Sequence, residues 1–569
     1  MLSIKKNWPF LLGLILSSSL LWPIAWAPFF THHDDVQTIR LYEMDKCIKD
    51  GQIPCRWVPD LGDLYGYPLF NYYAPLPYYY GEIFYFLTNN LILSVKVMFI
   101  TAFLGAYIFM YLFARRIWGD LGGAISALFY SFAPYHALDF YVRGEMGEMW
   151  GLMLFPAIFW AFLKLKEKSN IKNILLVAFF IGFLIVSHNL SAMIFLPIAL
   201  IWVVILYFNN TDKKFLIYSL FSFVLGIALS AFYSLPMFFE KNLVHIDTTT
   251  IGYFSYTEHF KGLRKLFLDR SWGYGSSVRE VPGGERDTLS YQIGWVHLLG
   301  WILSMYVTKR LWKKNKFVAG TIFFASLITA LSIFMINPRS EFIWNILKDF
   351  LKYLQFPWRL LLVIIFMTSF LSGSIFVLEP RRKYLIFCVF LILLVGLNFY
   401  YFKPEKFLYI NDQQLLSGAS WDKLIQRSIY DFLPIAAKEP PAFLAGERFQ
   451  ILTGNTKVTD FKEGTNWINF NTETKSHSII RLSQYYFPNW RIFVDGKVIR
   501  IDYGNNSLGL MTFILGIGNH TIDAKLYDTP IRTVSNEITL LSLLLSLLLF
   551  TSQFSNTRKW VQYYRKRIN

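Results

Sequence analysis

The stretch Leu76-Pro77-Tyr78-Tyr79-Tyr80-Gly81-Glu82-Ile83-Phe84-Tyr85-Phe86-Leu87 decides the topology of this chain. It is apolar but short, and roughly 20 helical residues are needed to cross a bilayer. Counted as a span, it puts Arg115-Arg116 outside, against the tendency of Lys and Arg to stay in cytoplasmic loops. Left at the outer interface, it brings every later loop into agreement. It is therefore read as interfacial.

The later spans then alternate. Val95 to Phe113 runs inward to Arg115-Arg116, and Leu121 to Leu138 runs outward. Met149 to Leu165 returns to Lys164, Lys166, Lys168 and Lys172, and Ile174 to Val186 rises to Ser187-His188-Asn189. Leu190 to Phe208 descends to Lys213-Lys214, and Phe215 to Pro236 leads out into a polar loop, Glu240 to Ser290. Tyr291 to Val307 returns to Lys309, Arg310, Lys313 and Lys314. Phe317 to Ile336, Leu360 to Leu378 and Tyr384 to Tyr401 follow, with Arg381-Arg382-Lys383 inside.

At the start, Lys5 and Lys6 precede the apolar run Trp8 to Phe30, which also resembles a signal peptide ending in Ala25-Trp26-Ala27. Pro28 directly after that site favours an uncleaved anchor. A last span, about Ile538 to Phe550, precedes the basic tail Arg558 to Arg567. The one-sided Lys and Arg clusters give about 12 transmembrane helices. The fold class is a mainly α polytopic membrane protein with an outer β-sandwich near the C-terminus.

Composition agrees. Of 569 residues, 54% are hydrophobic and 16% charged. The net charge of +17 comes from residues clustered in short loops, the pattern of headgroup contact and not of a nucleic-acid groove. Of three cysteines, Cys388 lies in an apolar run as packing. Cys47 and Cys55 share the first outer loop and are expected to form a disulfide, worth about 2–3 kcal/mol for so short a loop.

Residues 1–402 form the membrane domain with a first outer loop at 31–92, 403–536 an extracytoplasmic β-rich domain, and 537–569 the last helix and tail. In the β-rich part Ile479 to Ser483 and Trp490 to Val494 read as strands, and Asp495-Gly496 is a hairpin signal before Val498 to Ile501. Gly518-Asn519 likewise joins Leu510 to Leu515 to His520 to Leu526.

The first outer loop opens Thr31-His32-His33-Asp34-Asp35. Four titratable groups where a helix leaves the bilayer make this the candidate active centre. Asp34 to Lys49 reads as a short amphipathic helix with Val36, Ile39 and Tyr42 toward the membrane. The tyrosines from Tyr67 to Tyr80 belong at headgroup level. The same topology brings Arg143, Glu145, Glu148, His188, Asn189 and Arg359 to the outer face. Each has a plain alternative: His188 as a helix cap, Arg143 with Glu145 as a structural pair, Arg359 reaching for headgroups. No zinc spacing is present, and no metal is assigned.

These pieces resemble one family. The acidic pair, Gly66-Tyr67-Pro68 to Tyr78, Tyr141-Val142-Arg143-Gly144-Glu145 and Phe356-Pro357-Trp358-Arg359 look like the "6-pyruvoyl-tetrahydropterin synthase-related" bacterial membrane proteins. Tyr486-Phe487-Pro488-Asn489-Trp490 and Val494-Asp495-Gly496 are similar to the outer β-domain of the kindred YfhO-like family. The resemblance implies a GT-C-type glycosyltransferase fold, a bacterial plasma-membrane location and a polyprenyl-phosphate sugar donor. It places a catalytic acid in the first outer loop, at Asp34 or Asp35. His33, Arg143, Glu145, Glu148, His188, Asn189 and Arg359 are then the substrate-binding candidates, with Arg143, His188 and Arg359 neutralising the leaving phosphate. No cofactor is implied. The pterin label has no counterpart in the residues, since the nine histidines are scattered. The other reading is a non-catalytic or transport component of envelope polysaccharide or glycolipid export. Transporters more often carry ionisable groups at the midplane of repeated halves, and no such repeat is visible.

Overall fold

The structure is a computed structural model that describes residues 4–278, 288–426 and 432–568, with side chains between 7 and 553. Lys5, Lys6, Glu280 and the tail Arg558 to Arg567 therefore lie outside the described side chains.

Among the described residues, seven helices are long and apolar enough to cross a membrane. They are Leu91–Ser131, Met146–Glu167, Asn189–Asn209, Lys316–Ile336, Pro357–Leu378, Lys383–Tyr401 and Pro530–Gln553. Lys213–Leu229 and Ala231–Phe239, bent by 72°, make an eighth if taken as one span. A multi-pass membrane protein follows from these alone.

Leu76–Thr88 is a 13-residue helix, only about 20 Å long. It buries Pro77, Tyr78, Gly81 and Glu82 and leaves Ile83, Phe86 and Leu87 exposed. Asn89 in the left-handed region ends it, and the Asn90 side chain caps the next helix by accepting from Leu93 N. The Asp412 carboxylate also accepts from Leu91 N and Ile92 N, adding charge at that helix start.

Leu91–Ser131 is not one straight rod. Gly119, at φ 76°, breaks it. A Cβ on Gly123 would lie 2.8 Å from Arg115 Cα, where eight residues of straight helix would separate them by about 12 Å. The chain doubles back there, with Arg115 paired to Asp120 across the turn. Phe113, Phe159, Trp202, Phe366 and Phe370 pack as stacked and edge-on rings in the middle of the bundle. Cys388 is exposed on its helix and is not core packing, a correction to the reading of its apolar run.

Two antiparallel sheets follow. The five-stranded sheet has the order Thr456–Glu463, Trp467–Thr474, Gly518–Leu526, Trp490–Val494, Lys497–Ile499. The three-stranded sheet has the order Phe449–Thr453, Ser478–Tyr485, Leu510–Leu515. Phe470, Ile480, Leu482, Ile492, Phe513 and Ile522 fill the space between them. Asp495-Gly496 is a hairpin turn, since Val494 pairs with Lys497. Gly518-Asn519 is not. Leu510–Leu515 pairs with Ser478–Tyr485, whereas Gly518–Leu526 lies between two strands of the other sheet. The Gly-rich link crosses from sheet to sheet because both strands turn apolar faces to the shared core.

The first loop joins the bundle to the sheets. Trp57 lies 5.7 and 5.9 Å from the rings of Phe487 and Trp490. The Asp50 carboxylate accepts from Thr465 N, Thr465 Oγ1 and Trp467 Nε1 at 2.7–3.0 Å. Cys47 and Cys55 are joined in a disulfide. The tyrosines differ from their reading as headgroup anchors: Tyr67, Tyr72 and Tyr78 are buried in protein. Their hydroxyls are satisfied internally, Tyr72 donating to Glu240 O, Tyr78 to Gln37 Oε1, and Tyr67 accepting from Phe432 N. Gln37–Lys49 is likewise no amphipathic surface helix. Gln37, Thr38, Arg40, Glu43 and Asp45 are buried together with Ile39, Leu41 and Met44, because this helix is covered on nearly every side.

Candidate functional site

The segment after Phe29–Phe30 is held by backbone bonds to the end of a short π-helix, Leu138–Arg143. His33 N donates to Val142 O at 2.8 Å, Asp34 N to Arg143 O at 2.9 Å, and Gln37 Nε2 to Gly144 O at 2.9 Å. Gly144, at φ 64°, turns the chain so that these carbonyls point at the acidic segment. A Cβ there would also come within 2.5 Å of the His32 ring, so only glycine fits.

This pairing separates the two aspartates. Asp34 turns toward Glu145, Arg40 and Tyr73. Asp35 turns away, with Lys423 Nζ at 3.8 Å. Asp34 is half-buried. Its carboxyl is hydrogen-bonded to that of Glu145. Burial, then the Glu145 charge, pushes Asp34 well above the usual carboxylate range. Burial acts the same way on Glu145, but the bond from Asp34 and the charges of His188 and Arg143 outweigh it and hold Glu145 at about 2. Within the pair, proton affinity is thus shifted toward Asp34 and away from Glu145. Tyr73 Oη donates to Glu145 Oε1 at 3.2 Å.

Glu145 sits at the N-cap of Met146–Glu167. One turn on, Glu148 is fully buried between two guanidinium groups. Arg143 Nη1 donates to Glu148 Oε2 at 2.5 Å and Nη2 to Oε1 at 3.0 Å, a bidentate pair. Arg359 Nε donates to the same Oε1 at 2.7 Å. Arg143 Nη1 also reaches Asp139 and Tyr135, and Arg359 Nη1 reaches Leu354 O and Gln355 Oε1. Trp358 and Phe356 cover the two guanidinium faces at 4.9 and 4.8 Å.

His188 caps Asn189–Asn209, with Nδ1 accepting from Ser191 N and 2.7 Å from Ser191 Oγ. Gly147 lets it lie close, since a Cβ there would be 3.0 Å from His188 Cδ2 and 3.3 Å from Glu145 Oε1. Burial lowers the His188 imidazole against the opposing pull of Glu145 and Glu148. Asn189 lies at the edge, with Nδ2 3.7 Å from Met237 Sδ. His33 faces out, its Nε2 2.7 Å from Tyr274 O. The structure therefore gathers Asp34, Glu145, Glu148, Arg143, His188 and Arg359, and leaves Asp35, His33 and Asn189 at the margin. Among the described residues no group of three or more His, Cys, Asp or Glu is placed to hold a metal ion.

Arg40 and Tyr73 are the members that sequence reasoning passed over. The signal was present: Val36, Ile39, Arg40, Glu43 and Cys47 recur at helical spacing, so the arginine falls within the apolar stripe.

The chain is similar to a bacterial protein, to part of a solved structure and to one family model. An uncharacterized protein of Lactococcus lactis subsp. cremoris (strain MG1363) is 24% identical over 207 residues, 35% of this chain. The cryo-EM structure of arabinofuranosyltransferase AftD from Mycobacteria aligns over 71% of this chain at 12% identity, with a TM-score of 0.44. The matched parts span 34% of the Lactococcus protein and 27% of the mycobacterial one. The model of the 6-pyruvoyl-tetrahydropterin synthase related domain, a membrane protein family, matches residues 70–403. That match covers more than half of the chain, and the chain belongs to this family of membrane proteins.

Proposed function

We propose that the chain is a membrane glycosyltransferase that moves a sugar from a polyprenyl-phosphate donor to an envelope acceptor at the outer face of the bacterial plasma membrane. The observation that carries this reading is the Asp34–Glu145 pair at the mouth of the bundle. The GT-C resemblance of the motifs around it supports the same conclusion. Asp34 is the more accessible of the two, and a carboxylate whose proton affinity is raised is a stronger base once ionised. In the reaction Asp34 takes the proton of the acceptor hydroxyl as its oxygen bonds to the sugar's anomeric carbon. The bond from that carbon to the phosphate oxygen breaks, and the electron pair leaves with the lipid phosphate. Glu145 stays ionised and buried behind Asp34, raising its basicity.

The orientation belongs to this proposal. Three further helices of 16–17 residues, Ile4–Ser19, Ile171–Ser187 and Trp295–Leu311, join the long ones. Counting these, the bent pair and both arms about Gly119 gives about twelve crossings, with Lys and Arg loops inside. In a chain carrying Cys388→Ser, single cysteines near Asp60 and Asp495 are expected to react with an impermeant thiol reagent in intact cells. Those near Lys168 and Lys313 are not. Labelling at Lys168 would reverse the orientation.

The activity is tested by incubating membranes that contain or lack the chain with radiolabelled polyprenyl-phosphate sugars. Chain-dependent incorporation into envelope material is expected. Equal incorporation with and without the chain, across the common donor sugars, would leave export as the better reading.

A further inference from the structure

Arg143 and Arg359 spend their donors on Glu148 and its surroundings. Arg40 does not. It is 5% exposed, and its Nε and Nη1 have no hydrogen-bond partner among the described residues. Its guanidinium lies over the Tyr73 ring, 3.8 Å from the centroid, with the Tyr78 hydroxyl and Asp34 beside it. Tyr78 donates its own proton to Gln37 and accepts from the guanidinium, and Tyr73 donates to Glu145, so the rings hold the arginine while Nε and Nη1 stay open.

Leaving the donors of a charged, buried group unmet is costly, and such groups are rare unless something completes them. The open nitrogens call for an anion with several acceptor oxygens. Asp34 lies beside the guanidinium but bonds to Glu145, and neither open nitrogen of Arg40 bonds to it. The disulfide Cys47–Cys55 closes the far end of the same helix, and Gln37 ties the near end to Gly144, so the arginine is carried on a fixed support. A guanidinium suits a phosphate better than an ammonium does, since it is planar, always charged and offers directed donors.

We propose that Arg40 binds a phosphate group, on a lipid carrier or free, at the site where it meets Asp34 and Tyr73. This rests on the transferase reading, for which it names the residue that receives the leaving phosphate, displacing Arg143 and Arg359 from that role.

The test uses the purified full chain in detergent, titrated with phytanyl phosphate, phytanol or inorganic phosphate and followed by calorimetry. Phytanyl phosphate is expected to bind at least about ten-fold more tightly than phytanol, the equivalent of one charge-assisted contact. Arg40→Met should remove that preference, a loss of about 10–100-fold for the phosphate ligand with phytanol unchanged. Arg40→Lys should retain an intermediate preference. Inorganic phosphate that binds as tightly as phytanyl phosphate, and is lost with Arg40→Met, supports the same site with free phosphate as its ligand.

A wild-type chain with no preference for phosphate over alcohol overturns the proposal, as does a preference that survives both substitutions. If Arg40→Met does not fold, the wild-type preference and Arg40→Lys still decide it. Sugar transfer is read separately. An Arg40→Met chain with unchanged transfer and phosphate binding keeps the enzyme and loses this site, whereas binding through Arg40 without any transfer keeps the site and loses the enzyme.

Discussion

Asp34→Asn is expected to lower sugar transfer by about 10²–10⁴-fold, the usual contribution of a positioned general base. Asp35→Asn should leave it near wild type, because Asp35 faces Lys423 and not the Glu145 pair. The asparagine amide at position 34 can still donate to Glu145, so the fold should survive and the loss should fall on kcat at saturating donor. The pH profile supplies an independent check. Burial and the Glu145 charge raise Asp34, so its base form grows in only above the usual carboxylate range, and kcat/KM should climb with pH across that interval. Glu145→Gln removes a charge that raises Asp34. Its acid limb should therefore move to lower pH while the maximal rate falls, as the base becomes weaker. Full transfer by Asp34→Asn would make the acid structural and move the export reading ahead.

Much of this was legible because membrane insertion leaves a coarse record in the sequence. The Lys and Arg loops fixed the treatment of Leu76 to Leu87, and a 13-residue helix too short to span is what the chain forms there. Titratable residues placed beside a membrane exit identified the region of Asp34, Glu145 and Glu148. What sequence could not resolve was direction. Asp34 and Asp35 are adjacent, and only the backbone bonds to Val142 and Arg143 decide which carboxyl meets Glu145. The tyrosines of the first loop carry the same composition whether they face headgroups or the β-sheets. Trp57 and Asp50 bring the sheets down onto that loop, and so bury Tyr67 and Tyr72. Gly518-Asn519 shows a similar limit. A turn dipeptide fixes a reversal, but the next strand's place in a sheet depends on distant partners such as Asn469 and Phe493.

Charge inside an apolar stripe was the costliest ambiguity. Arg40 and Glu43 lie at core positions of Gln37–Lys49, yet a charged residue in a short loop helix reads by default as solvated. The same default paired Arg143 with its neighbour Glu145. The nearer geometric partner is Glu148, one turn into the following helix, where bidentate contact is possible.

Glu148→Gln is accordingly expected to destabilise the chain by about 3–5 kcal/mol, the range seen when one member of a buried ion cluster is removed. Glu148 stands between Arg143 and Arg359, and all three side chains are 7% exposed or less. Without the carboxylate, two guanidinium groups face each other across a dry gap, with Asp139 left as the acid bonded to Arg143. The loss should appear as a lower melting temperature of the purified protein in detergent, whether or not donor is present. Arg143→Ala and Arg359→Ala should each destabilise as well, since each leaves Glu148 with one cation where it had two. The combined replacement Asp139→Asn, Arg143→Met, Glu148→Leu, Arg359→Met should recover most of the stability, because Asp139 loses its Arg143 partner too and no buried charge of the cluster then remains uncompensated. If Glu148→Gln melts with wild-type protein while the arginine variants lose only donor use, the two arginines are ligands and not a frame. If the single substitutions unfold the chain and the combined one restores it, the cluster is the frame that holds Glu145, and through it Asp34, at the end of the bundle.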